Sequence, residues 1–251
     1  MKNHLAGVAI AATLLGTPAF AADMALKAPP VAPAWNWTGW YVGLNVGGSF
    51  GKANDSVSFG GLPLPAPSQN LNGVIGGGQI GYNWQSGTWL FGLEADIQGS
   101  SEKSNDPALS TLILTIPALG AGAIPFSLGV NEKLDWFGTL RGRVGILATP
   151  TWLFYATGGL AYGGIRTTET LSAPAPIGII GTNSFNNTRA GWTLGGGAEA
   201  VLGNNWTAKV EYLYLDLGTF SNVWASPIFP VAFSSHVTDN IVRAGVNYHF
   251  H

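Results

Sequence analysis

Apolar residues alternate with small or polar ones at period two in eight stretches of this chain. Successive side chains of a β-strand point to opposite faces, so this alternation predicts eight strands that each have one apolar face. We expect the strands at residues 37–50, 73–84, 88–100, 132–147, 152–165, 189–202, 206–217 and 239–250.

The connections between these strands alternate between long and short. Long loops are expected at 51–72, 101–131, 166–188 and 218–238, and three short turns join the remaining strand ends. This pattern is typical of a transmembrane β-barrel with short periplasmic turns and long extracellular loops. The sequence therefore predicts an all-β fold, an eight-stranded antiparallel up-and-down transmembrane barrel. We expect it in the outer membrane of a Gram-negative bacterium, with its N-terminus and short turns in the periplasm.

The N-terminal 36 residues are expected to lie outside this barrel. Lys2 precedes the apolar run Leu5 to Leu15, and Ala19-Phe20-Ala21 resembles a cleavage site, which together indicate a secretory signal peptide. We assign residues 1–21 to the signal peptide, the Ala/Pro-rich 22–36 to a periplasmic linker and 37–251 to the barrel.

The composition favours a lipid-facing protein and excludes several kinds of site. Charged residues are 10% of the chain, against about 25% in a typical soluble protein. The absence of cysteine excludes disulfides and thiolate metal sites, and the net charge of -2 gives no sign of nucleic-acid binding. We expect no cofactor, and His249 and His251 are too few for a metal site.

Tryptophan positions support the barrel topology. Aromatic residues concentrate at the two membrane interfaces of such barrels, whereas a soluble β-sandwich does not need tryptophan beside each short turn. Near the short turns we expect an aromatic girdle that also includes Trp35 and Trp37, at the chain's entry into the barrel. The full predicted girdles comprise Trp40, Trp84, Trp89, Trp152 and Trp206 at the short-turn end, and Trp136 and Trp192 at the opposite end.

Four segments resemble a known family. They are WTGWYVGLNVGG from Trp37, WFGTLRGRVG from Trp136, YATGGLAYG from Tyr155 and the ending RAGVNYHF. In order and spacing they resemble the α-proteobacterial outer-membrane β-barrel proteins of the opacity-like porin family, related to the OmpA membrane domain. The resemblance implies an eight-stranded barrel that the β-barrel assembly machinery inserts. It also implies that Tyr248 and Phe250 act as the assembly signal, although His251 follows them.

The inward positions of the predicted strands collect charges of both signs. An eight-stranded barrel is only wide enough for side chains to fill its interior, so these charges need partners. We interpret them as a salt-bridge network that closes the lumen, in preference to an ion path or a catalytic carboxylate pair. The predicted network comprises Glu94, Asp96, Glu199 and Glu211 with Arg141, Arg143, Lys209 and Arg243.

The predicted long loops contain apolar runs that are unusual for extracellular segments. They begin at Leu62, Thr111, Pro176 and Pro227. The runs either pack together and extend the strands, or form a platform for lipopolysaccharide, a host surface or a partner protein.

The function expected from the whole sequence is structural. We expect a barrel, in contact with outer-membrane lipid and lipopolysaccharide, that supports envelope integrity and surface interaction. A narrow porin for small solutes is the alternative. A third hypothesis is a lipid-modifying enzyme that uses Ser234, Ser235 and His236 near the outer rim, although nothing fixes a nucleophile–base geometry there.

Overall fold

A computed structural model describes residues 35–66, 68–104, 108–115, 123–174, 178–225 and 230–250. The predicted signal peptide, all but the last two residues of the predicted linker, and His251 lie outside these ranges. None of the described residues forms a helix long and apolar enough to cross a membrane.

The described residues form strands separated by short connections, since apolar and polar residues alternate along most of the chain. Two of the strands, β2 and β5, are short. The bounds are β1 Gly39–Phe59, β2 Leu62–Leu64, β3 Gln69–Ser86, β4 Trp89–Ser104, β5 Ala108–Thr115, β6 Ala123–Thr149, β7 Trp152–Ala173, β8 Gly178–Gly203, β9 Trp206–Ala225 and β10 Pro230–Phe250.

The eight long strands form a closed antiparallel ring. Each pairs with its neighbour in the order β1, β3, β4, β6, β7, β8, β9 and β10. The ring closes because β10 pairs with β1 from Phe250 opposite Trp40 to Val231 opposite Phe59. The short strands add to this ring, β2 on β1 and β5 on β6. The predicted fold class, an eight-stranded up-and-down barrel, is confirmed.

The long strands extend much further than the sequence pattern predicted at one end of the barrel. Strand β1 continues to Phe59 rather than residue 50, and β6 begins at Ala123 rather than residue 132. Most residues assigned to the four long loops therefore belong to strands, and those loop boundaries were wrong. Backbone pairing decides this, because hairpin strands continue as long as each N–H and C=O group finds a partner. We call this strand-built region beyond the apolar band the extension.

The outer face of the ring carries a band of exposed apolar side chains. Two levels of exposed tryptophan bound it: Trp40, Trp84, Trp89, Trp152 and Trp206 at the short-turn end, and Trp136 and Trp192 where the extension begins. On β1 the band runs from Trp40 to Phe50. At about 3.3 Å per residue and a tilt of about 40°, this distance is about 25 Å, the height of the apolar band of outer-membrane barrels.

Tight turns make the short-turn end compact. Asn204 and Asn205 both have positive φ, 49° and 69°, which is the conformation of a type I′ hairpin turn. Gly87, with φ of 61°, occupies the turn between β3 and β4. Short turns were predicted at these places, and of the described residues only the Trp35–Thr38 segment precedes the strands at this end.

The inward residues of β6 show how the interior changes along the barrel. From the short-turn end, Arg143 and Arg141 come first, followed by the apolar Phe137 and Leu134, then Glu132, and then an apolar run that ends at Phe126. The interior is therefore a stack of alternating charged and apolar tiers. Sequence analysis predicted only the first charged tier.

A bulge in β6 reverses the parity of two predicted positions. The pairing of β6 with β7 shifts between Leu134 and Trp136, so Asp135 is an extra residue. Strict alternation in the predicted strand 132–147 sets Leu134 on the apolar, lipid-facing side with Trp136, and Asp135 on the inward side with Arg141. In the structure, Leu134 is buried in the interior and Asp135 lies on the outer face. Both assignments were wrong because strict alternation cannot register an inserted residue.

The ring separates within the extension. Hydrogen-bonded pairing of β8 with β9 stops at Trp192 opposite Asp216, although both strands continue. Gly218 has φ of 67° and donates its N–H to Asp216 Oδ1 at 2.8 Å, so β9 changes direction at this point. Beyond it, β8 stays on β7 while β9 stays on β10. Within the extension the ring is therefore open between β8 and β9, and the facing edges of these two strands are not paired with each other.

Adjacent glycines on β3 offer a test of how tightly the interior is packed. A Cβ added to Gly77 would lie 2.0 Å from Ile97 O and 2.6 Å from Gln98 Oε1, whereas one added to Gly76 meets nothing nearer than 3.7 Å. We expect Gly77→Ala to lower the free energy of unfolding in micelles by at least about 1–3 kcal/mol, because the added methyl group would overpack the interior. Gly76→Ala, the matched control, should unfold like the wild type in a urea titration. Equal unfolding of the two variants would contradict the packing.

Candidate functional site: the charged interior

Glu94 is the centre of the first charged tier, which we call the charge network. Its carboxylate accepts hydrogen bonds from Arg141 Nη2, from Lys209 Nζ at 3.1 and 3.0 Å, and from the Tyr41 hydroxyl at 2.7 Å. Arg243 Nη2 lies 3.6 Å from the same carboxylate. In the sheet Glu94 lies directly opposite Arg141, so their strand register already brings them together.

Asp96 and Glu211 complete the environment of Arg141 and Arg243. Asp96 Oδ2 accepts hydrogen bonds from Arg141 Nη2 at 3.0 Å and from Arg243 Nη2 at 2.9 Å. Glu211 accepts from Arg141 Nη1 at 3.1 Å and from Arg243 Nε at 2.7 Å. Each guanidinium therefore bridges two carboxylates that come from opposite walls of the barrel.

Glu199 and Arg143 form the part of the charge network nearest the short turns. Arg143 Nη2 donates to Glu199 Oε2 at 2.8 Å, and the guanidinium carbon lies 4.1 Å from the centre of the Tyr155 ring. The other Glu199 oxygen accepts from Thr207 at 2.5 Å and from Asn247 at 2.7 Å. Stacking and hydrogen bonding thus replace water around both groups.

Polar side chains connect the remaining strands to these charges. Asn45 on β1 donates to Gln79 on β3, Gln79 donates to Asn247 at 2.7 Å, and Tyr155 on β7 donates to Glu211 at 3.1 Å. With these links, all eight long strands contribute a side chain to one connected set of interactions. The structure thus places the eight predicted residues together in the interior, and every one of them is buried.

The charge balance of this tier decides its energetics. Four carboxylates face four basic side chains, and removing such groups from water costs several kcal/mol per ion unless each finds partners. Low polarity strengthens a satisfied network and penalises an unsatisfied one. The arrangement therefore favours a fixed, densely bonded plug. A catalytic acid would need a carboxyl group without such partners, and all four carboxylates of this tier are paired with basic groups.

Trp37 closes the short-turn mouth, which differs from its predicted place in the lipid-facing girdle. It is fully buried and packs with Leu90 and Leu153. Its Nε1 donates to Pro150 O at 3.1 Å, and its ring lies 5.8 Å from the His249 ring. Trp35 packs against the same cluster. The girdle assignment of these two tryptophans was wrong, because the segment before β1 turns inward.

A second charged tier lies beyond the level of Trp136, within the extension, and was missed by sequence analysis. Glu132 accepts hydrogen bonds from Ser235 at 3.0 Å and from Arg189 at 3.4 Å. Asp55 accepts from Gln69 at 2.5 Å. We call Asp55, Glu132 and Arg189 the acidic tier, since two buried carboxyl groups share one guanidinium. Continuing the alternation past residue 50 would have found Asp55. Arg189 and Glu132 begin predicted strands, and the bulge at Asp135 hid the inward position of Glu132.

Burial changes the proton affinity of the acidic tier. Desolvation, reinforced by the charge of Asp55 and opposed by Arg189, raises the pKa of Glu132 to about 6. Burial also raises the pKa of Asp55, against the hydrogen bonds from Gln69 and Ser235. Protonation is therefore easier here than for an exposed carboxyl group, as expected for a tier in which acids outnumber bases.

The apolar runs assigned to the loops supply a core for the extension. Residues of two runs, Val231 and Phe233 from the run at Pro227 and Leu112 from the run at Thr111, pack against Phe126 and Leu128. Others point outward: Leu62, Ile113 and Ile179 are exposed. The packing interpretation accounts for the inward half of these residues, while the outward half is available for contact. Trp224, expected in a loop, lies on β9 and packs against this core.

The geometry at Ser234, Ser235 and His236 does not assemble a nucleophile with a base. Ser235 is buried and donates to Glu132, whereas His236 faces the other side of β10 and lies near Thr219 and Asp216, at 3.0 and 3.5 Å. Ser234 accepts a hydrogen bond from Ser221 at 3.1 Å. The alternation of the strand separates Ser235 from His236, and the hydroxyl of Ser234, which shares a face with His236, pairs with Ser221.

Comparisons with solved structures give low overall similarity. Neisserial surface protein A matches with a TM-score of 0.40 and 13% identity over 85% of this chain and 98% of that chain. The outer membrane protein OprG from Pseudomonas aeruginosa matches with a TM-score of 0.44 and 12% identity over 86% and 99%.

Comparisons with sequences are more informative. The 31 kDa outer-membrane immunogenic protein of Brucella melitensis is 38% identical over 95% of this chain and 96% of its own length. The 22 kDa outer membrane protein of Rhizobium leguminosarum is 29% identical over 88% and 82%. The model of the outer membrane protein beta-barrel domain matches residues 8–250. With its closed ring and apolar outer band, the chain belongs to the outer membrane protein β-barrel family and is an outer-membrane protein.

Proposed function

We propose that this protein is a closed, non-conducting outer-membrane barrel that supports the envelope and presents its extension as a contact surface. The observation that carries this proposal is the charge network, in which all eight long strands are joined across the lumen through Glu94, Arg141 and their partners. We propose no catalytic role, since Ser235 and His236 lie on opposite faces of β10 and Ser234 pairs with Ser221.

Apolar clusters on both sides of the charge network support a closed lumen. Towards the short turns, Trp37, Leu90 and Leu153 fill the mouth. Towards the extension, Phe137, Leu213 and Ile241 belong to a cluster of buried apolar residues. An ion crossing the barrel would have to displace both clusters and break the ion pairs between them, which a narrow porin would not require.

We propose that residues 37–251 form the barrel domain and that its short turns face the periplasm, with the extension outside the cell. Outer-membrane barrels usually have short periplasmic turns and larger structures on the outer side. The Brucella melitensis relative is named an immunogenic protein, which is consistent with an exposed surface.

We also propose that the assembly machinery recognises the end of β10. Tyr248 lies 5.3 Å from the Trp206 ring, and Phe250 is exposed opposite Trp40.

The refolded protein should show no steady conductance in a planar lipid bilayer. The charge network and the two apolar clusters leave no water-filled path, so applied voltage should produce only rare, irregular currents. Single-channel recording checks this, with a large water-filled porin as the positive control. Uniform, reproducible current steps would overturn the closed-lumen proposal in favour of a narrow porin.

Arg141→Ala should lower the free energy of unfolding in micelles by about 3–5 kcal/mol. Removal of this guanidinium leaves Glu94, Asp96 and Glu211 with a deficit of buried positive charge. Lys52→Ala is the matched control, since Lys52 is exposed on β1, and it should change stability by less than about 0.5 kcal/mol. Urea unfolding followed by tryptophan fluorescence measures both, and equal stability of the two variants would contradict the proposed role of the network.

The proposed orientation can be tested with single cysteines, because the chain has none of its own. Ile179 is exposed at the end of the extension, and Thr88 is exposed in a short turn. A membrane-impermeant maleimide should label Ile179→Cys in intact cells and Thr88→Cys only after the outer membrane is permeabilised. The reverse labelling pattern would overturn the orientation.

A further inference from the structure

Three basic residues form a row across the outer face of the barrel. Lys103 on β4 lies directly opposite Lys133 on β6, and Lys133 lies directly opposite Arg166 on β7. All three side chains are exposed. Among the described residues, one other basic side chain, Lys52 on β1, faces outward, while the remaining ones are buried. We call Lys103, Lys133 and Arg166 the cationic row.

The cationic row lies just beyond the membrane band. Lys133 precedes Trp136, one of the two tryptophans at this boundary, by three residues, and Arg166 follows Gly164, the pairing partner of Trp136, by two. With about 3.3 Å per residue and a tilted strand, the row is about 5–8 Å from the level of Trp136. This distance places the three charges at the depth of lipid headgroups rather than acyl chains.

Like charges on neighbouring strands repel one another when they lie directly opposite. Asp135 offsets part of this repulsion: its carboxylate lies 2.6 Å from Lys133 Nζ and 3.4 Å from Arg166 Nη2. One carboxylate against three cations leaves a net charge of +2 on this patch. An external anion would relieve the remaining repulsion.

A surface cavity of about 320 Å³ adjoins the row. Its lining includes Trp136, Arg166 and Asn186, together with Asp135, the carboxylate that pairs with Lys133 and Arg166. Arg166 Nε donates to Asn186 Oδ1 at 3.2 Å, which orients the guanidinium towards this side of the wall. Below the cavity, the paired Leu140 and Leu160 are exposed in the apolar band. The wall therefore offers cationic and polar groups above an apolar strip, the order in which a phosphorylated lipid presents its headgroup and acyl chains.

We propose that the cationic row and its adjoining cavity bind the phosphate groups of a phosphorylated glycolipid in the outer leaflet. Lysine supplies point charges and arginine supplies a planar donor fork, and both suit phosphate oxygens. The lipid headgroup, rather than free phosphate, is the occupant because the row adjoins the apolar band. The choice of leaflet rests on the orientation proposed above.

Binding of three probes to the refolded barrel in micelles tests the site. The probes are bisphosphorylated lipid A, the same lipid after enzymatic dephosphorylation, and inorganic phosphate, with native mass spectrometry as the readout. The wild type should bind the phosphorylated lipid at least about tenfold more tightly than the dephosphorylated lipid. The triple variant Lys103→Gln, Lys133→Gln, Arg166→Gln should lose this difference.

Two controls separate recognition from general charge and from folding. Lys52→Gln removes an outward charge from another part of the wall and should leave the preference intact. The charge-conserving variant Lys133→Arg, Arg166→Lys should also keep it. A difference in electrophoretic mobility between the unheated and the heated sample of each variant shows that the variant is folded. Because the substituted side chains are exposed, all variants should pass this check.

Several results would overturn the proposal. One is a triple variant that still prefers the phosphorylated lipid as strongly as the wild type. Another is inorganic phosphate binding as tightly as the lipid, which would remove the role of the apolar band. The binding assay does not depend on the orientation of the barrel. Retained lipid binding together with reversed cysteine labelling would therefore overturn the assignment of the lipid to the outer leaflet, and it would show that the proposed orientation is wrong.

Discussion

The coordination of Glu94 and Arg141 at the centre of the lumen is the interaction on which this structure depends. An eight-stranded ring encloses a space that side chains fill, so a charge placed inside cannot keep its water. Glu94 is nevertheless held by Arg141, Lys209 and Tyr41, and Arg141 by three carboxylates. Because these partners come from opposite walls, the network fixes the strands relative to one another as well as neutralising the charge. Loss of one member of the network would leave several other buried charges without a partner.

The two ends of the barrel follow different rules because their surroundings differ. Within the apolar band the interior charges balance, and the ring of backbone hydrogen bonds is closed, as a lipid environment demands. Beyond Trp192 and Asp216 the ring is open between β8 and β9, which a watery environment tolerates since water can pair with the two strand edges. Carboxyl groups also outnumber basic groups there, and the pKa of Glu132 is raised accordingly. The band therefore encloses the balanced charges, and the interior of the extension carries the excess of carboxyl groups.

Much of the candidate site could be predicted from alternation alone. The parity that sends Leu93 and Ala95 outward also sends Glu94 and Asp96 inward, which is why all eight members of the charge network were found. Parity failed where a backbone irregularity intervened. The bulge at Asp135 exchanged the faces of Leu134 and Asp135, and the turn before β1 carried Trp37 into the lumen. The first predicted strand also stopped too early, since Asp55 continues the same pattern beyond residue 50, in a segment that was assigned to a loop.

The sequence by itself determined the strand number, the closed up-and-down order, the tryptophan levels and the set of lumen charges. These are properties of local alternation and of short turns such as Asn204-Asn205, which neighbouring residues specify. Only the tertiary structure decided which charge meets which, how far the strands extend, where β8 and β9 part, and that Lys103, Lys133 and Arg166 share one row. Those outcomes depend on the register between strands that are distant in the chain, and register is set by the closure of the whole ring.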